Sequence, residues 1–132
     1  MRKLWIMAVS FLNILLVATP MWAGSEVTVL QKKDNGKEIQ VKSGAIIELS
    51  LQEQGGTGYT WEFDRLDGKY FEVVKTETRP LAEKARVGGP VFKIWRLKAK
   101  ETGESNLSLD YFRPWEGRAK AAEHYQVKVI IQ

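Results

Sequence analysis

Apolar and polar residues alternate in short runs along most of this chain, turn residues separate the runs, and no stretch sustains a helical period. Alternation with period two is the mark of strands that bury one face. Val27 and Val29 alternate with Glu26 and Thr28, and Ile39 and Val41 with Gln40 and Lys42. Ile47, Leu49 and Leu51 share one face, as do Tyr59, Trp61 and Phe63. Residues 71–78 have strand-forming composition with poor alternation. Val91, Trp95, Leu97 and Ala99 share a face, Leu107, Leu109 and Tyr111 another, and Tyr125, Val127, Val129 and Ile131 close the series. Turns are marked at Asp34-Asn35-Gly36, Ser43-Gly44, Asp67-Gly68 and residues 101–104. Residues 81–86 are able to form a helical turn, but the flanking Pro and Gly argue against a lasting helix. The pattern predicts an all-β chain, an immunoglobulin-like antiparallel β-sandwich of about seven strands, with a small closed barrel as the structural rival.

Ahead of the first strand, Arg2 and Lys3 precede an apolar stretch from Leu4 to Ala18, followed by small residues around Ala23. This is the layout of a secretory signal peptide, with an apolar region short for a membrane span. The expected division is a signal peptide at residues 1–23 and one domain at residues 24–132. Cleavage after Ser25 fits the small-residue rule better than cleavage after Ala23. The expectation is an exported protein, periplasmic or secreted, with no stable membrane anchor once the signal is removed. The chain has no cysteine, so packing rather than disulfides must stabilise it. Losing Arg2 and Lys3 lowers the formal net charge from +4 to +2, and the remaining basic residues are scattered among acids. No nucleic-acid surface is expected.

Catalysis is not expected. There is no Cys nucleophile, and His124 is the only histidine, which excludes a multi-histidine metal site. Its place at the start of the last strand suits a surface role. Carboxylates such as Asp64, Asp67 and Asp110 are scattered and suggest no acid pair. No cofactor is implied.

Binding is better served. If each strand reverses direction, the loops at residues 52–58, 79–90 and 113–121 emerge at one end. These loops have the least ordinary composition. The first, Gly55-Gly56-Thr57-Gly58-Tyr59, is a glycine-rich tip mounted on a strand. The third holds Arg113-Pro114-Trp115, where proline stiffens the presentation of a large ring. Trp115 either serves as an exposed hot spot or folds back onto the sandwich.

Together the three loops resemble those of the chagasin-like inhibitors of cysteine peptidases. Thr57-Gly58-Tyr59 followed by Trp61 is similar to the end of that family's Asn-Pro-Thr-Thr-Gly-Tyr loop, Val87-Gly88-Gly89 to its Gly-x-Gly-Gly loop, and Arg113-Pro114-Trp115 to its third signature. Gln54, Gly55, Gly56 and Arg86 depart from the family pattern, which implies a less rigid first loop. The resemblance implies a monomeric immunoglobulin-like sandwich that reversibly inhibits papain-like cysteine peptidases. The Thr57 loop would enter the active-site cleft, the Gly88-Gly89 loop would lie along the non-primed side, and Trp115 would pack on the primed side. A different class stays open: an exported adhesion or carbohydrate-binding module in which Trp115 and Tyr111 stack on a sugar ring.

Overall fold

The computed structural model describes residues 26–81 and 89–132. The expected signal segment lies outside them, as does all but Leu81 of the expected helical turn. The described chain is all β, with eight strands and two short 3₁₀ turns: β1 (Val27–Leu30), a turn at Lys32–Asp34, β2 (Glu38–Val41), β3 (Ile46–Glu53), β4 (Thr60–Arg65), β5 (Phe71–Pro80), β6 (Val91–Ala99), β7 (Gly103–Phe112), a turn at Arg118–Lys120, and β8 (Glu123–Ile131). They form two four-stranded sheets, ordered β1-β3-β6-β5 and β2-β8-β7-β4.

The pairing differs from the expected wholly antiparallel pattern. β1 runs parallel to β3 and β2 parallel to β8, while the other pairs are antiparallel. The cause is the connector at residues 31–37, which carries the chain from one sheet to the other instead of turning it back within a sheet. Alternation looks the same in either kind of pairing, so the sequence pattern does not distinguish them. β1 also presents the opposite face from the one expected. Leu30 is buried, whereas Val27 and Val29 stay about half exposed on an edge strand. β5 buries only Phe71 and is broken by a bulge between Val73 and Lys75, which accounts for its poor alternation. It also continues through Arg79 and Pro80, which were expected in the loop; Pro80 pairs with Val91.

Between the sheets lies one apolar core. Ile47, Leu49 and Leu51 of β3 and Leu97 and Ala99 of β6 face Leu107 and Leu109 of β7 and Tyr125, Val127 and Val129 of β8. Trp61 is the largest fully buried side chain, 1% exposed. Its ring stacks on Tyr111 (centroids 4.9 Å apart) and meets the edge of Tyr125 (6.5 Å). Its Nε1–H donates to the Gln52 carbonyl at 3.0 Å, so the polar atom is satisfied across the sandwich. The Tyr125 hydroxyl donates to the Gln31 carbonyl at 2.9 Å, tying the connector to the core. Burial, with the nearby Asp34 charge adding to it, pushes the Tyr125 pKa up, so this donor keeps its proton.

Removing the Trp61 ring takes away this packing and strands the Gln52 carbonyl. Trp61→Ala is expected to cost about 3–5 kcal/mol, a large share of the roughly 5–15 kcal/mol of a domain. Urea unfolding compared with the wild type checks this; an unchanged midpoint would overturn the placement of Trp61 as a core support.

Candidate functional site

β3 leaves its sheet at Glu53, opposite Val91 where β6 enters, and Pro80 of β5 also pairs with Val91. In the other sheet, β4 enters at Thr60 opposite Phe112 of β7, and β8 enters at Glu123 opposite Tyr111. The connections at 54–59, 81–90 and 113–122 therefore gather at one end of the sandwich. The Leu81 N–H donates to the Pro90 carbonyl at 3.4 Å at the base of the second. Of the residues singled out there, Gly89 is half buried, whereas Val87 and Gly88 lie outside the described residues.

The first loop is held more firmly than its glycines suggest. The Gln54 N–H donates to the Tyr111 hydroxyl at 3.0 Å. The Thr57 hydroxyl donates back to the Gln54 carbonyl at 2.8 Å and accepts the Tyr59 N–H at 3.3 Å. Gly56 has φ 78° while Gly55 is not left-handed, the φ signs that a type II turn requires at its second and first central positions. A side chain at Gly56 would be strained there. Gly58, at φ 79°, is required twice over: a Cβ would fall 2.1 Å from the Trp115 ring.

That contact resolves the two readings of Trp115. The ring is 71% exposed, yet one edge rests on the Gly58 backbone. It neither enters the core nor projects freely, but is braced by the first loop. Pro114 beside it is exposed. Arg113 is the clamp between the loops. Its Nε–H donates to the Thr57 carbonyl at 2.9 Å, its guanidinium lies 4.5 Å from the Tyr59 ring centroid, and its Nη1 pairs with Glu116 at 2.9 Å. The Glu116 hydrogen bond, chiefly, raises the Arg113 pKa. Tyr59 is half buried, sandwiched between Arg113 and Tyr111, whose ring is 5.3 Å away. Tyr111 is itself buried between Tyr59 and Trp61, so it offers no face to a sugar.

Several supporting residues do not stand out in the sequence. Glu53 Oε1 accepts from the Thr60 hydroxyl and the Trp61 N–H, both at 2.9 Å, joining the two feet of the first loop. Lys93 Nζ donates to the Trp61 carbonyl at 3.1 Å and to the Thr60 hydroxyl at 3.3 Å, and lies 3.9 Å from Glu53. The signal for Lys93 was present: it is the one polar residue in the inward series Val91, Trp95, Leu97, Ala99. Asp110 and His124, read as unremarkable, meet at 2.6 Å on the outer face. Among the described residues, no group of three or more His, Cys, Asp or Glu gathers as a metal site.

Among the described residues this end of the sandwich presents a backbone-rich turn with an aromatic ring braced beside it. Known proteins are similar to this chain in sequence and in fold. Amoebiasin-2 of Entamoeba histolytica is 23% identical over 125 residues, covering 92% of this chain and 98% of the relative. Chagasin of Trypanosoma cruzi is 26% identical over 101 residues, covering 73% and 90%. Among solved structures, a cysteine protease inhibitor from Entamoeba histolytica superposes with a TM-score of 0.75 at 21% identity, over 86% of this chain and 100% of that one. The family profile described as Chagasin family peptidase inhibitor I42 matches residues 40–129, which hold β3 to β7, most of β8 and all three clustered loops, and this chain belongs to that family.

Proposed function

We propose that this protein is a reversible, monomeric inhibitor of papain-like cysteine peptidases, which plugs the active-site cleft with the loop edge at residues 54–59, 81–90 and 113–122. The observation that carries this reading is Trp115, a large exposed ring braced against the Gly58 backbone. A rigid aromatic loses little conformational freedom on binding and supplies large contact area, as hot spots do. The adjoining turn at Gly55, Gly56, Thr57 and Gly58 carries one side chain, that of Thr57, and so would present mostly backbone to a cleft. Its Thr57 carbonyl accepts the Arg113 Nε–H, which fixes the turn against the loop that carries Trp115. The similar solved protein from Entamoeba histolytica is itself a cysteine protease inhibitor. In this reading Gly89, with Val87 and Gly88, contacts the peptidase on one side of the cleft and Arg113, Pro114 and Trp115 on the other, burying about 800 Å² per partner.

We further propose that the protein is exported before this encounter, on the strength of the basic, apolar and small-residue regions in residues 1–23. The intact mass of the protein recovered from outside the cytoplasm should correspond to a start after Ala23 or Ser25; recovery of the full-length chain there would count against it.

Incubation with papain and a fluorogenic substrate tests the main reading. Inhibition should be reversible and leave the inhibitor uncleaved, while inertness across a panel of such peptidases would overturn it. Trp115→Ala should leave stability within about 0.5 kcal/mol and cost roughly 2 kcal/mol or more of binding, seen mainly as faster dissociation because no charge changes. Unchanged inhibition by this variant would remove the third loop from the binding surface.

The turn geometry makes a second expectation specific. Gly55 precedes the left-handed Gly56, as the residue that is favourably proline does in a type II turn, and no hydrogen bond from its N–H is found among the described residues. Gly55→Pro should therefore raise stability by roughly 0.4–1 kcal/mol and tighten binding by a similar amount, through lower entropy of the free loop. Thermal unfolding and the inhibition constant, measured side by side, check this; weaker binding with the fold intact would mean that the bound loop needs a conformation closed to proline.

A further inference from the structure

We propose that Arg118 and Asp110 are positioning residues of the third loop, holding the turn that carries Trp115 and so setting the peptidase affinity without touching the peptidase. The proposal rests on the inhibitory reading above. Arg118 opens the 3₁₀ turn that follows Trp115. Its Nη1 donates to Asp110 Oδ2 of β7 at 2.8 Å, and its Nη2 to the Phe63 carbonyl of β4 at 2.7 Å. The guanidinium lies 4.8 Å from the Phe112 ring centroid. Glu62 and Asp64 of β4 stand at 4.0 Å. The other oxygen of Asp110 bonds Nδ1 of His124 on β8 at 2.6 Å. One planar fork thus ties the far half of the loop to two strands, and Asp110 extends the tie to a third. Arg113 ties the near half to the first loop, and Trp115 sits between the two anchors.

A role in stability alone accounts poorly for this arrangement. The cluster lies outside the core, Arg118 is about one-third exposed, and such ion pairs contribute little to folding. The geometry has a different use. A guanidinium bridging two fixed acceptors defines a direction as well as a distance, which an ammonium cannot do. The anchor also withstands acid. Burial pushes the Asp110 carboxyl up, but hydrogen bonds and charge from His124 and Arg118 outweigh this and hold it below the usual carboxylate range. A carboxylate with a depressed folded-state pKa contributes fully above its unfolded value and loses that contribution only as pH falls through the lower folded one. Glu62 on β4, His124 on β8 and Arg118 are the charged or titratable neighbours that face it, with Asp64 close to Arg118.

The test uses Arg118→Ala, Arg118→Lys and the double variant Arg118→Ala/Trp115→Ala. It reads the inhibition constant against papain, the melting temperature, and the ¹H–¹⁵N NOEs of the amides at 115–117 in the free protein. Arg118→Ala is expected to weaken inhibition about tenfold, the scale of re-ordering a loosened loop on binding. The NOEs should fall and the melting temperature should change little. The ratio to wild type should hold from pH 7 to pH 5. In the Trp115→Ala background the same change should cost nothing more, and Arg118→Lys should not restore affinity. Additive losses would show that Arg118 touches the peptidase itself, and full rescue by Lys would reduce the effect to charge; either overturns the proposal, as would unchanged NOEs. If Arg118→Ala does not fold, the isosteric Asp110→Asn carries the same expectations. If the wild type inhibits nothing, the inhibitory reading falls while the NOEs still decide the anchor.

Discussion

A column of stacked side chains runs from the centre of the sandwich to its loop edge, and the rest of that edge depends on it. Trp61 is packed in the core, Tyr111 lies on Trp61, Tyr59 lies on Tyr111, and the Arg113 guanidinium covers Tyr59. Three of the four side chains also make a directional bond. Trp61 donates to the Gln52 carbonyl, the Tyr111 hydroxyl accepts from Gln54, and Arg113 donates to the Thr57 carbonyl. Stacking fixes how far the loop stands from the core, and the hydrogen bonds fix its rotation. The rigidity of a close-packed interior is thereby transmitted to residues that are themselves exposed.

This matters because the chain has no disulfide with which to staple its loops. A glycine-rich loop without restraint would surrender much backbone freedom on binding a partner. Here that cost is met largely on folding, by the turn at Gly55 and Gly56, the inward-turned Thr57 hydroxyl, and the Glu53–Lys93 network at the base. Glu53 and Lys93 also show how a polar pair can lie between two sheets: each bonds to the feet of the first loop, and among the described residues no buried side-chain nitrogen or oxygen lacks a partner.

Trp115 and Gly58 show how two loops far apart in sequence come to specify one another. The ring needs a flat seat, and only a residue without Cβ leaves room for it at a left-handed position. The seat in turn orients the ring outward instead of letting it collapse onto the apolar sheet edge. The two arginines on either side of Trp115 divide the remaining work, one gripping the first loop and the other the outer face of β4 and β7. The loop edge is a product of mutual support between loops, with the sheets supplying the common base.

Much of this was determined by the sequence itself. Period-two alternation placed the strands and the inward faces of β3, β4, β6, β7 and β8, because burial of one face leaves a direct trace in residue type. The three loop motifs carried the family, and Trp61 carried its own burial in its alternation with Tyr59 and Phe63. Tertiary structure decided what alternation leaves open. It set the parallel pairing of β1 and β2, since pairing direction depends on where a connector crosses, and the inverted face of β1, since an edge strand is free to bury Leu30 in place of its valines. It also decided the fate of Trp115 and the work of Arg113, Arg118 and Asp110. Those roles consist of contacts between residues distant along the chain, and a hydrogen bond across such a separation leaves no periodic mark in the sequence by which to find it.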